Sequence, residues 1–171
     1  PRRRDDFARL ALALPREEAP VELLAARALA PRWSGVHYVE NTLMNSLFGL
    51  AFWEQIFTPV PGVFHNPFQS APTDMYSTEF RARRRHAIEA RLDALARADI
   101  ARELRAAFRR YAPFQCRWVD WRQLDGALLD AATKIIPGSH LLAIWERMLF
   151  DPGENRRGFP DLVALGKLPG D

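Results

Sequence analysis

The 171-residue chain is 48% hydrophobic, which provides a substantial core for one domain with room for a piece of a second. Its longest apolar stretch, Leu47 to Trp53, falls far short of the roughly 20 residues that span a bilayer, so neither a signal peptide nor a membrane partner is expected. The single Cys116 and four scattered histidines exclude a disulfide framework and a structural zinc site, leaving only oxygen ligands for any metal, and a formal charge of +3 fits an acidic partner without demanding one.

The chain opens on Pro1-Arg2-Arg3-Arg4 without Met and finishes in the turn-forming Pro169-Gly170, so it is expected to be a segment of a longer polypeptide. Asp5 to Leu14 and Pro20 to Leu29 predict two amphipathic helices forming a hairpin, the second opened by Pro20 at its first position. Residues 1–30 therefore read as a helical lead-in, and residues 31–171 as the main domain. Trp33-Ser34-Gly35-Val36 breaks the pattern. A long helix is then predicted from Val39 to Phe57, apolar nearly all round and so buried in mid-domain.

Glu40 falls in the first turn of that helix, where the helical period puts it on one face with Leu43, Met44 and Leu47. A carboxylate on such a stripe either interacts with the helix dipole or takes a cation. Thr58 to Met75, rich in Pro and turn formers, reads as an ordered loop anchored by Val63, Phe64 and Phe68. One helix is predicted from Thr78 to about Arg97, with Arg81, Arg83, Arg84, Arg85 and His86 crowded at its start. Such a cluster is either a solvated helix face or a contact to an anion such as nucleic acid.

A helix opening at Asp99 or Ile100 runs to Tyr111 and stops before Pro113. Asp120 with Gln123 predicts a capping box for a helix from Trp121 to Thr133, and Ser139 is expected to cap Leu141 to Phe150. Arg147, Arg156 and Arg157 follow as further candidate phosphate contacts. In Gly158-Phe159-Pro160-Asp161, a Gly-x-Pro break delivers a carboxylate to the mouth of a short buried strand, Leu162 to Leu165, because proline is tolerated at the start of a strand. Gly166 to Asp171 then reads as a turn starting a hairpin.

Several blocks together resemble one family. They are Glu40-Asn41-Thr42-Leu43-Met44-Asn45-Ser46-Leu47-Phe48-Gly49-Leu50, Trp53 through Phe57, Val60 to Asn66 with Gln69, Pro72 and Asp74, then Phe80, Arg84-Arg85 and Glu89 to Leu92, and finally Gly158 to Val163. In order and spacing they are similar to the Fanconi-associated nucleases, the VRR-NUC branch of the PD-(D/E)xK superfamily. The resemblance implies an α/β fold with a small mixed sheet and a large helical insertion, helix-rich overall. It also implies that Glu40 and Asp161 are catalytic and bind Mg²⁺ or Mn²⁺, and that the substrate is branched or 5′-flap DNA in interstrand crosslink repair.

In the family a Glu-x-Lys on the next strand supplies a second carboxylate and the activating lysine. Neither is found here, since Lys167 lacks the accompanying glutamate, so the segment by itself is expected to be inactive. Upstream DNA-binding and helical regions and the downstream Glu-x-Lys strand of the same polypeptide are the implied partners, in an intracellular setting, the bacterial cytoplasm or nucleoid. The alternative is a non-catalytic, basic helical module that binds DNA or protein through the arginine faces of Glu79 to Tyr111.

Overall fold

The computed structural model describes residues 10–166, which form two compact units. The first comprises the described residues up to Tyr38 together with those from Leu162 onward. Its helix α1, Val21–Leu29, starts directly after Pro20, whose carbonyl accepts from Leu23 and Leu24 N–H. A single 3₁₀ turn, Ala30–Arg32, leads into strand β1, Gly35–Tyr38. This strand pairs antiparallel with β2, Leu162–Leu165, in a register that sets Gly35 opposite Leu165 and Tyr38 opposite Leu162.

Helix α1 packs on this ribbon with Leu24 buried, and Leu165 is the buried residue of β2. The expected helical hairpin is therefore replaced by a helix on a β-hairpin-like pair. Of the earlier predicted helix, Asp5 to Arg9 lie outside the described residues, and Leu10 to Leu14 are not helical. Lys167 and the rest of the expected terminal turn also lie outside. Among the described residues the sheet is small, two-stranded and antiparallel, in a helix-rich chain as expected.

The second unit, Val39–Asp161, is helical. Its centre is α2, Thr42–Ala51, whose Leu43, Leu47, Phe48, Leu50 and Ala51 are buried on several sides. Burying each large side chain of this kind contributes about 1.5–3 kcal/mol, so a helix buried nearly all round needs no strong caps of its own. The predicted long helix does not run through to Phe57. Phe52 leaves the helical basin at φ −116°, ψ 24°, and α3, Trp53–Ile56, follows, with Trp53 stacked on Tyr111 at 4.5 Å between centroids. Phe52 itself stays in the core, edge-on to Trp145 at 5.9 Å, while Phe48 meets Trp118 at 4.4 Å.

The loop from Thr58 is ordered as expected, and its pin is Gln69. That side chain accepts from His65 N–H and donates to the carbonyls of Val63 and Ala71, satisfying backbone groups that no helix or strand serves. Val63 is buried, but Phe68 is 87% exposed and is no anchor. The predicted Thr78 to Arg97 helix splits into α4, Glu79–Arg83, and α5, Arg85–Arg97, because Arg84 breaks the helical backbone and turns inward.

Helix α6, Ile100–Tyr111, runs as read from the sequence, and Asp99 proves to be its cap. Helix α7, Gly126–Ile135, starts later than expected, because the side chain that caps it is Asp125, accepting from Leu128 N–H. Asp120 instead closes a local turn with Arg122 N–H. Helix α8, Gly138–Phe150, begins after Pro137 and not at a Ser139 cap. Helices α2, α6 and α7 pack in sequence, and α5 and α4 pack on α8.

Candidate functional site

The residues leading into α2 are not helical. Glu40 and Asn41 both have positive φ, 27° and 57°, so the chain makes a left-handed turn before the helix starts. Asparagine tolerates that basin better than other side chains except glycine, which accounts for residue 41. Glu40 is consequently exposed and does not lie on the buried stripe with Leu43, Met44 and Leu47. The turn closes through Thr42 N–H to Val39 O at 2.6 Å and Thr42 Oγ1 to Glu40 O at 3.2 Å.

Asp161 is brought to this turn by the backbone. Its carbonyl accepts both Val39 N–H at 2.8 Å and Glu40 N–H at 3.2 Å. Gly158, at φ 81°, reverses the chain where other residues would be strained, and Phe159 N–H then donates to Asn41 Oδ1 at 2.9 Å. One helical turn further on, Asn45 Nδ2 donates to Arg156 O at 3.1 Å. Four hydrogen bonds thus hold segment 156–161 against residues 39–45. The side chain of Asp161 is exposed like that of Glu40.

Two carboxylates on adjoining turns offer hard oxygen donors of the kind Mg²⁺ and Mn²⁺ prefer. Among the described residues no group of three or more His, Cys, Asp or Glu side chains is placed to hold an ion. Glu40 and Asp161 offer oxygen donors of the right chemistry, but two carboxylates are fewer than the ligands such an ion takes. Sequence reasoning paired these two residues but missed what ties them together, Asn41 and Asn45; the signal available was two amides one helical turn apart at the head of an otherwise apolar helix.

The arginines divide by environment. Arg84 is 3% exposed; its Nη1 and Nη2 meet the Asp74 carboxylate at 2.9 and 3.1 Å, and its guanidinium lies 4.4 Å from the centre of the Phe80 ring. The expectation that it touches DNA is corrected on that ground, since a phosphate does not reach a buried, paired guanidinium. Arg83 is also engaged, with Asp74 at 3.3 Å and with the Pro61 carbonyl at 2.7 Å. Arg81 is half-buried, whereas Arg85, Arg147 and Arg157 are exposed.

Arg156 is half-buried, with its guanidinium 4.5 Å from the centre of the Tyr76 ring. Burial pushes the Tyr76 hydroxyl above its ordinary pKa, and the positive charges of Arg156 and Arg117 oppose that rise in part. Burial likewise pushes the Cys116 thiol up to about 11, making it a packing residue and not a nucleophile. No single helix among the described residues is long and apolar enough to cross a membrane.

A helix-rich unit whose buried central helix is bonded, through the turn preceding it, to a Gly-x-Pro-Asp segment has known counterparts. Residues 93–169 match the VRR-NUC domain. The chain is 43% identical over 156 residues to a Fanconi-associated nuclease 1 homolog of Pseudomonas aeruginosa, covering 91% of this chain and 28% of that protein. It is 29% identical to the Arabidopsis thaliana homolog over 86% of this chain and 17% of that one. A crystal structure of paFAN1 bound to DNA with a gap and a 1-nucleotide 5′ flap superposes with a TM-score of 0.82 at 44% identity, over 90% of this chain and 28% of that one. Over most of its own length the chain is thus similar to the Fanconi-associated nucleases. It spans less than a third of the length of these relatives.

Proposed function

We propose that this chain is part of a divalent-metal-dependent, structure-specific DNA nuclease acting on branched and 5′-flap DNA in crosslink repair within a bacterial cell. In this reading residues 31–171 are an incomplete nuclease domain and residues 1–30 lead in from upstream regions of the same polypeptide. Support comes from the family resemblance, from relatives crystallised with 5′-flap DNA, and above all from the two hydrogen bonds that Val39 and Glu40 donate to the Asp161 carbonyl.

Glu40 and Asp161 are the residues we assign to hold Mg²⁺ or Mn²⁺. Bound there, the cation would stabilise charge developing on the scissile phosphate and acidify an attacking water. The protein's part is to present two carboxylates on turns that backbone hydrogen bonds join, and to hold the phosphate backbone through Arg81, Arg85, Arg147, Arg156 and Arg157, with Arg83 engaged elsewhere. The Glu-x-Lys motif is not among the 171 residues, so the chain alone does not cleave.

The test uses the full-length protein with Asp161→Asn on a 5′-flap substrate. Cleavage is lost, while DNA affinity measured in EDTA stays near wild type, because the phosphate contacts are made elsewhere. Flap cleavage by the variant at the wild-type rate overturns the assignment and leaves the non-catalytic binding module in its place.

A further inference from the structure

We propose that Asn41 is a positioning residue for the metal-binding pair, a role that rests on the assignment of Glu40 and Asp161 as metal ligands. The observation is its one long-range hydrogen bond. An asparagine at the head of a helix ordinarily turns its side-chain oxygen onto the helix's own N–H groups, but α2 has no such side-chain cap. Asn41 Oδ1 instead accepts from Phe159 N–H, 118 residues away and two before Asp161.

That bond matters because packing does not hold the chain at Gly158, one residue before the donor. A Cβ placed on Gly158 would meet nothing within 4 Å, and Gly158 sits at φ 81°, so this residue is a permissive pivot. Asp161 is itself exposed. Hydrogen bonds across the two turns tie its backbone to that of Glu40: Val39 and Glu40 N–H to Asp161 O, Asn41 Oδ1 from Phe159 N–H, and Asn45 Nδ2 to Arg156 O.

Within that set Asn41 provides the side-chain bond nearest Asp161, and so the one a substitution removes cleanly. Its backbone serves the same end, since the left-handed geometry at φ 57° sends the helix away while leaving the amide facing Phe159. Asn41 thereby sets the course of the backbone that carries Asp161, acting from behind the ligand without touching the ion.

Two variants of the full-length protein separate the acceptor from the backbone. Asn41→Gly keeps the left-handed conformation and loses the oxygen, whereas Asn41→Asp keeps both. The readouts are Mn²⁺ binding without DNA, followed by electron paramagnetic resonance, and the Mg²⁺ concentration giving half-maximal flap cleavage. Asn41→Gly is expected to weaken Mn²⁺ binding roughly 10–100-fold and to raise the Mg²⁺ requirement in parallel, the range seen for residues behind metal ligands. Asn41→Asp restores both, and DNA affinity in EDTA is unchanged in each.

Wild-type Mn²⁺ binding by Asn41→Gly overturns the proposal, as does equal weakening by both variants. If Asn41→Gly fails to fold, Asn41→Ser, whose hydroxyl falls short of Phe159 N–H, takes its place with the same expectations. An Asp161→Asn control distinguishes the two levels: if it binds Mn²⁺ like the wild type, the metal assignment itself is wrong, and Asn41 loses its role with it.

Discussion

Replacing Arg84 by Met destabilises the chain and leaves DNA binding alone. The side chain of Arg84 is fully buried and that of Asp74 is 8% exposed, and the guanidinium meets the carboxylate through two bonds of 2.9 and 3.1 Å. Methionine fills the space of the aliphatic stem but strands the carboxylate in a site with little water. Removing one partner of a buried pair costs about 3–5 kcal/mol, far above the roughly 0–1 kcal/mol of an exposed pair. Arg83 remains 3.3 Å from the same carboxylate and is partly solvated, which lowers the expected loss to about 3 kcal/mol.

At roughly 2–4 °C per kcal/mol for a domain of this size, the melting temperature falls by about 6–12 °C. Urea denaturation of the 171-residue chain measures the loss as a lower midpoint at constant slope. The salt dependence of DNA affinity in the full-length protein should not move. A loss below about 1 kcal/mol, together with a salt slope shallower by about one, would refute the reasoning and return Arg84 to the DNA-contacting residues.

Neutralising Arg85, Arg147 and Arg157 together makes the slope of log affinity against log salt shallower, by about one for each phosphate that no longer meets a guanidinium, as measured by fluorescence anisotropy. Gly49→Ala destabilises the chain by about 1–3 kcal/mol, because the added Cβ would lie 2.6 Å from Val119 Cγ2 and 2.9 Å from Trp118 Cβ; a urea midpoint equal to wild type would contradict that packing. Cys116 is protonated more firmly in the folded state than in the unfolded chain, with its pKa raised from 9.0 to about 11 by burial. Its contribution to stability is therefore fully present below about pH 9 and is lost as pH rises through about 11, and Cys116→Ala should flatten the fall over that window by roughly 2–3 kcal/mol.

How far the sequence can be read depends on whether local or distant groups decide each feature. Helix α6 was legible because its apolar spacing and the Pro113 that stops it are both local. The start of α7 was not, since Asp120 and Asp125 each head a turn and only the backbone groups they meet distinguish them. Strand β1 escaped notice because four residues after a Trp-Ser-Gly break carry little periodicity, and the strand that pairs with it lies more than a hundred residues further along the chain.

The breaks at Phe52 and Arg84 are tertiary in origin. In each, a helix-compatible residue leaves the helical basin beside a distant contact, Trp53 on Tyr111 or Arg84 on Asp74. At the candidate site the family resemblance singled out Glu40 and Asp161, and the structure joins their two turns by backbone hydrogen bonds. The positive φ of Glu40 was not legible, because glutamate gives no warning of a left-handed turn, and this is why it lies exposed before α2 and not on its buried face.

The most direct test of the metal assignment is anomalous diffraction from crystals of the full-length protein soaked in Mn²⁺. The account predicts a peak with oxygens from both Glu40 and Asp161 at about 2.1 Å, or two neighbouring peaks each held by one of them. A metal bound elsewhere, or Glu40 and Asp161 oxygens more than about 10 Å apart in the loaded crystal, too far for one site or an adjacent pair, would contradict it.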